Sequence, residues 1–390
     1  MSYTTPSSHK SFSLIPLSQT LHNLHEKKER NHPACFILDG GTGEELFRNG
    51  VPDDRKIWSA TAIVHSKYHK ILKQVHQSYI KAGSNAITTN SYGIVPGVGF
   101  SVEDVVKYTC VAGQLARDAV SETVETRNTD KESTSNSFRS NNEAINELHI
   151  ESNKISPNTF ILGSLGPLVE SYRPDLIMDH SKGTSIYSKM INALHPFVDA
   201  IIGETMSCVN EALQIVDAYH ETLPIKQQQQ PIPLLLSFTL NQNGHFRDGE
   251  SVVNGINRVI EYITTTVYKI SSQPQIINPL HAILFNCCEP EAITTALKEI
   301  SENEPLQRRL KKYKILLGAY AHRLTPIAEN WSLETSTGAQ AMRCGLSPRD
   351  YYHDFVKVWI NDLGVQIIGG CCGIAPQHIA YISKEIKCES

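Results

Sequence analysis

The run Ile367-Ile368-Gly369-Gly370-Cys371-Cys372-Gly373 reads as a buried strand that stops abruptly and presents two thiols. Neighbouring residues on a regular strand face opposite ways, so adjacent cysteines reach one object only where the strand breaks. Glycine permits that break by accepting backbone angles closed to other residues. A second segment, Phe285-Asn286-Cys287-Cys288, also sets cysteine at the end of an apolar run. Three thiols converging from two strand ends suit a catalytic Zn²⁺, whose fourth position stays open for substrate.

Elements that could position such thiols recur along the chain. Eight short apolar runs, rich in β-branched residues, alternate with helix-like segments: Phe36–Gly41, Ala86–Tyr92, Phe160–Pro167, Asp199–Met206, Leu234–Leu240, Ala282–Pro290, Ile315–His322 and Val365–Gly373. Near-continuous apolar strands imply burial on both faces, hence a parallel sheet covered by helices. Tyr68, Ile71, Leu72, Val75 and Tyr79 recur at helical spacing, with Gly83 as the C-terminal cap. Ser347-Pro348-Arg349-Asp350 combines an N-cap serine, a first-turn proline and a capping-box acid. Tyr351, Phe355, Val358 and Trp359 then supply the buried face of the last crossover helix.

Eight alternations predict an α/β fold of the (β/α)₈ TIM-barrel type, whose chemistry sits at the C-terminal strand ends. A doubly wound open sheet is the competing architecture. It would carry a GxGxxG loop after the first strand, and Asp39-Gly40-Gly41-Thr42-Gly43-Glu44 lacks that spacing. The barrel is expected over residues 35–385 as a single domain, behind a polar N-terminal extension at 1–34. A Ser-, Thr-, Asn- and Glu-rich stretch at about 121–158 reads as a flexible insertion between the second helix and third strand. Lys226 to Gln230 is a smaller insert before the fifth strand.

Composition narrows the class. Of 390 residues, 40% are hydrophobic and 19% charged, with a formal charge of −4, which gives no basic excess for nucleic acid. No apolar run reaches the roughly 18 residues that span a membrane. The first thirty residues lack the features of a secretory signal or transit peptide. Nine cysteines without such a signal predict reduced thiols in a cytoplasmic enzyme. The sequence carries no reading of the oligomeric state.

Polar residues at the predicted strand ends would all face one barrel mouth: Asp39, Asn90 with Tyr92, Ser164, Glu204 with Thr205, Ser237, Asn286 and Tyr320. They suit a small zwitterion, with carboxylates for an ammonium, and amides and hydroxyls for a carboxylate. The chain here resembles the homocysteine S-methyltransferase family, in the variant that has only the homocysteine-binding barrel. The matching segments are Asp39-Gly40-Gly41, Ala86-Ile-Thr-Thr-Asn-Ser-Tyr92, Gly163-Ser-Leu-Gly-Pro167, Glu204-Thr205, Asn286-Cys287 and Gly369-Gly-Cys-Cys-Gly373, spread from about residue 36 to 382.

The resemblance implies Zn²⁺ bound by Cys287, Cys371 and Cys372, with homocysteine sulfur as the fourth ligand. It also implies a homocysteine pocket at Glu204 and the Asp39-Gly40 region, extended to Tyr92, Ser164, Thr205, Ser237 and Asn286 as substrate contacts. The implied reaction is methyl transfer from a sulfonium donor, S-methylmethionine or S-adenosylmethionine, to homocysteine. Betaine as donor, a selenol as acceptor, or a non-catalytic zinc or thiol sensor are the alternatives. Two departures stand out: Leu284 replaces a frequent glycine, and the familiar Tyr-Pro-Asn of strand seven is Tyr320-Ala321-His322.

Plainer roles compete at several positions. Strand alternation turns Cys288 into the core, Asp39 can cap a turn, and Tyr92 can be a rim aromatic. His65 and His69 stand four apart, but a solvated helix face accounts for them.

Overall fold

The computed structural model describes residues 15–29, 34–137, 159–223, 232–267, 279–328, 331–332 and 342–389. Eight parallel strands, β1 Phe36–Ile37, β2 Ala86–Thr88, β3 Phe160–Leu165, β4 Ala200–Met206, β5 Leu234–Phe238, β6 Leu280–Asn286, β7 Leu316–Tyr320 and β8 Ile367–Ile368, form one sheet. Its order is β1-β8-β7-β6-β5-β4-β3-β2, a nearly closed (β/α)₈ barrel. The last seam, between β1 and β2, is bridged by the Asn85 N–H to Ile37 O at 2.6 Å and the Ile37 N–H to Asn85 Oδ1 at 2.8 Å. Asp39 continues it by accepting the Thr88 N–H at 2.8 Å.

Alternation along each strand divides the core into two layers. Leu38, Leu162, Ile202, Leu235, Leu284 and Ile367 fill the barrel interior. Their neighbours Ile37, Ile161, Ile201, Leu234, Leu236 and Ile283 pack outward against the helices. Both faces are therefore apolar, and this produces the uninterrupted hydrophobic runs. Leu284 is opposite Gly318 in the β6–β7 register, and a Cβ at 318 would come within 2.5 Å of its side chain. The bulk of Leu284 is thus accommodated inside the barrel.

Several runs are longer in sequence than in the structure. Phe36–Gly41 shrinks to β1, and Ala86–Tyr92 to β2, because the chain leaves the ladder at the C-terminal strand ends. The released residues become the mouth. Helix His69–Ala82 ends on Gly83 at φ 103, and the Ser347/Asp350 capping box forms.

Two of the expected segments carry helix. The polar extension at 1–34 contains a helix, Leu17–Glu29, whose Leu17, Leu21 and Leu24 join the barrel-interior cluster. Their spacing of three and four residues gives one apolar stripe on an otherwise polar helix. The insertion expected at about 121–158 begins as helix, because Val102–Ser137 runs through it and Thr123 is buried. Residues 138–158 and Lys226 to Gln230 lie outside the described residues.

Candidate active site and metal centre

The mouth is built where strands fail. β6 ends at Asn286, and Cys287 adopts φ 52, a left-handed angle that turns its thiol into the cavity. Cys288 falls on the opposite side, in the outer core. β8 stops at Ile368, and Gly369-Gly370 lead into a turn closed by the Ile374 N–H on Cys371 O at 2.9 Å. Gly40 allows this turn to approach, since a Cβ there would be 2.2 Å from Ile374 O. Cys371 and Cys372 consequently face the same cavity as Cys287.

The three sulfurs lie within hydrogen-bonding reach of one another. Cys371 donates to Cys287 at 2.7 Å, Cys287 and Cys372 are 3.8 Å apart, and Cys371 and Cys372 3.9 Å. Tyr172 also donates to Cys287, at 3.2 Å. The S–H bonds from Cys371 and Cys372 pull the Cys287 thiol well below its ordinary pKa, while hydrogen bonding to Cys287 pushes those of Cys371 and Cys372 up. Two of the separations match the sulfur–sulfur edge of about 3.8 Å that a tetrahedral zinc with sulfur at about 2.3 Å requires. Among the described residues this is the one group of three such side chains placed to hold a metal. The donor set therefore fits zinc.

Glu204 faces the cavity opposite the thiols. The β4 register shifts between Gly203 and Met206, Thr205 takes φ 60, and this bulge places Glu204 on the cavity wall. Ser164 Oγ donates to one carboxylate oxygen, and Tyr320 Oη to the other at 3.0 Å. Burial raises the Glu204 pKa, and those two hydroxyls oppose the rise. No Lys, Arg or His among the described residues pairs with it. Asn286 accepts from the Thr205 N–H at 3.0 Å and from Ser237 Oγ at 2.7 Å, and donates to Thr205 Oγ1 at 2.8 Å.

The sequence-derived residues thus separate into two groups. Asp39, Gly40, Tyr92, Glu204, Thr205, Asn286, Cys287, Cys371 and Cys372 line the cavity. Ser164 and Ser237 are fully buried and bond Glu204 and Asn286 from behind the cavity wall. Asp39 lines the cavity with its oxygens engaged by Thr88, and burial pushes its pKa up to about 8. Tyr92 exchanges a 2.7 Å hydrogen bond with Ser171. His322 is buried beside this wall, its Nδ1 accepting the Leu324 N–H at 2.9 Å. His69 binds Ile63 O at 2.9 Å, and His65 is exposed.

Other lining residues carried no motif. Trp58, Tyr172 and Trp331 give the outer cavity aromatic walls, with Tyr172 and Trp331 edge-to-face at 5.1 Å. Trp58 at φ 47 and Tyr172 at φ 66 are strained for aromatic residues. Glu44 and Glu170 also line it, and burial lifts Glu44 to about 7.

The sequence matches the homocysteine S-methyltransferase family model over residues 36–386. The chain belongs to the homocysteine S-methyltransferase family. Homocysteine S-methyltransferase 1 of Arabidopsis thaliana is 24% identical over 91% of this chain and 94% of its own. A betaine-homocysteine S-methyltransferase of Drosophila melanogaster is 23% identical over 90% and 94%. The metallated form of the Escherichia coli homocysteine methyltransferase MmuM shares the fold, with TM-score 0.61 and 19% identity over 93% of this chain and 99% of that one. This family member is a methyltransferase with homocysteine and a methyl donor as substrates. No helix among the described residues is long and apolar enough to cross a membrane.

Proposed function

We propose that this homocysteine methyltransferase depends on zinc held by Cys287, Cys371 and Cys372 and takes its methyl group from a sulfonium donor. The carrying observation is that three cysteine sulfurs from two strand ends share a cavity with Glu204, a half-buried carboxylate without a cationic partner among the described residues. Zinc would supply a Lewis acid that lowers the pKa of the substrate thiol.

The chain's own residues account for the rest. Glu204, fixed by Ser164 and Tyr320, is placed to accept the ammonium group of homocysteine, which would complete its charge balance. Asn286, locked by Thr205 and Ser237, keeps the bulge that aims Glu204. Trp58, Tyr172 and Trp331 give aromatic lining where a positive donor would enter, and Glu44 and Glu170 add carboxylates to the same wall. The homocysteine thiolate attacks the methyl carbon as the donor's carbon–sulfur bond breaks. Methionine and a neutral thioether leave. Opposite charges cancel in this step, so a dry cavity assists it. The nine free cysteines fit a cytoplasmic setting.

The test is methionine formation from homocysteine by zinc-loaded protein, offered S-methylmethionine, S-adenosylmethionine or betaine in parallel. Zinc-dependent turnover with either sulfonium supports the reading. Turnover with betaine alone would reassign the donor, and homocysteine binding without turnover on stoichiometric zinc would indicate a sensor.

A further inference from the structure

β7 and β8 pair Gly318 with Ile367 and Ala319 with Ile368. The ladder continues past both strand ends. The Gly369 N–H donates to Ala319 O at 3.2 Å, and the Cys371 N–H to Ala321 O at 2.9 Å. A parallel ladder with those two bonds calls for a third between them, from the Ala321 N–H to Gly369 O. The phenol of Tyr351 stands in its place. The Ala321 N–H donates to Tyr351 Oη at 3.1 Å, and that hydroxyl donates to Gly369 O at 2.8 Å.

We infer that Tyr351 is a positioning residue for the thiol cluster, its hydroxyl spliced into the β7–β8 ladder to hold the two strand ends apart. Two bonds in series span the gap that one would close. Beyond the relay, β8 turns through Gly370 to Cys371 and Cys372. On the other side of β7, the Cys287 N–H donates to Tyr320 O at 3.4 Å, and the His322 N–H to Cys288 O at 3.2 Å. The separation of β7 from β8 therefore sets the distance between Cys287 and the cysteine pair.

Several features adapt the chain to this arrangement. Tyr351 is fully buried and opens a π-helical stretch, Tyr351–Val356, between the short helix Pro348–Asp350 and helix Lys357–Asn361. Such stretches are frequent at functional sites because the extra residue in the turn redirects a side chain. Tyr351 also packs edge-on against Trp359, with ring centroids 6.0 Å apart. Residue 321 must be able to donate, and the proline of the familiar Tyr-Pro-Asn pattern has no N–H to give. This inference rests on the reading of the cluster as a metal site.

Tyr351→Phe keeps the ring and deletes the relay. Trp359→Phe is the control, because it removes the indole N–H bond to Thr294 Oγ1, 2.8 Å long, from the same helical segment. Zinc affinity is read by competition with a chromophoric chelator, and site geometry by the thiolate-to-metal absorption of the Co²⁺ form. Iodoacetamide alkylation of Cys371 and Cys372 is followed in metal-free protein. We expect Tyr351→Phe to weaken zinc binding about tenfold or more, as loss of an outer hydrogen bond does elsewhere, and to alter the cobalt spectrum and alkylation rates. Trp359→Phe should change neither affinity nor spectrum. Equal affinity, spectrum and alkylation in the two variants would overturn the inference. Should the wild type hold no metal, the zinc reading falls and the alkylation comparison alone decides the role of Tyr351. Should Tyr351→Phe not fold, Ala321→Pro removes the same relay at its donor end and enters the same comparison.

Discussion

The two ends of the barrel solve opposite problems with the same strands. At the N-terminal end, Leu17, Leu21 and Leu24 of helix Leu17–Glu29 join the interior cluster that contains Phe36 and Phe160. The half-buried acid there, Asp199, which precedes β4, has the Arg117 guanidinium at 3.3 Å. At the C-terminal end, four of the five non-glycine residues with positive φ among the described residues, Trp58, Tyr172, Thr205 and Cys287, line one cavity. Its acids, the buried Asp39 and the half-buried Glu204, are held by hydroxyl and N–H donors. One end is closed and charge-balanced, and the other stores backbone strain and unbalanced charge. Strained angles persist only where surrounding packing enforces them, so the closed end and outer core support the open one.

Removing a thiol should divide the two ends most sharply. Cys371→Ala should abolish zinc binding and reduce methionine formation by a factor of roughly 1,000 or more, since zinc retains only two protein sulfurs. The melting temperature of the metal-free protein should change little. Metal content by atomic absorption and a turnover assay check both halves of this prediction. Full turnover in Cys371→Ala would place the chemistry elsewhere.

Leu21→Ala attacks the closed end instead. Leu21 is 2% exposed, and truncating such a leucine costs about 2–5 kcal/mol, depending on how far the site collapses. Denaturant unfolding should show that loss, while kcat/KM for both substrates at low temperature stays at the wild-type value. A large fall in kcat/KM would mean that the plug and the mouth are coupled.

What the sequence reveals follows the same division. The eight strands are legible because burial on both faces leaves each run apolar, and Cys371-Cys372 because paired thiols after Gly-Gly have few other uses. Glu204 is legible as a charge ending an apolar run. Ser164 and Ser237 share that pattern, yet both sit one layer behind the cavity. Strand-end position locates the mouth but does not separate a wall residue from its support. Tyr172 and Trp331 reach the cavity from loops and Trp58 from a single 3₁₀ turn, where no periodicity marks direction. Tyr351 reads as a helix-face aromatic, and its hydroxyl relay depends on a π turn and on partners 30 and 18 residues away in sequence, which helical spacing does not reveal. The helix Leu17–Glu29 is obscured by its polar composition, with only the leucine spacing to mark it.

Glu204→Gln tests the unbalanced charge directly. Glutamine can still accept from one of the Ser164 and Tyr320 hydroxyls and donate to the other, but it no longer offers a carboxylate to an ammonium. Losing a charge-assisted hydrogen bond of about 2 kcal/mol should raise KM for homocysteine roughly thirtyfold. A thiol analogue without the amino group should be used equally by both forms. Equal impairment with the analogue would show that Glu204 acts on something other than the ammonium.

The smallest effect concerns Glu211, a buried carboxylate just beyond β4, at the mouth end but outside the cavity. It accepts from the Ser207 N–H and from Ser207 Oγ, both at 2.8 Å, and burial pushes its pKa up from 4.5 to about 7. Between those values the folded protein retains a proton that the unfolded chain has released. Stability from this group is therefore fully present below about pH 4.5, declines as pH rises to about 7, and changes no further above that. Glu211→Gln removes the titration, so its unfolding free energy should fall less steeply with pH across this window. The slopes should differ by at most about 1.4 kcal/mol per pH unit, the limit for one proton. Parallel profiles for the two proteins would show that folding leaves the Glu211 titration unshifted, and that Ser207 offsets its burial in full.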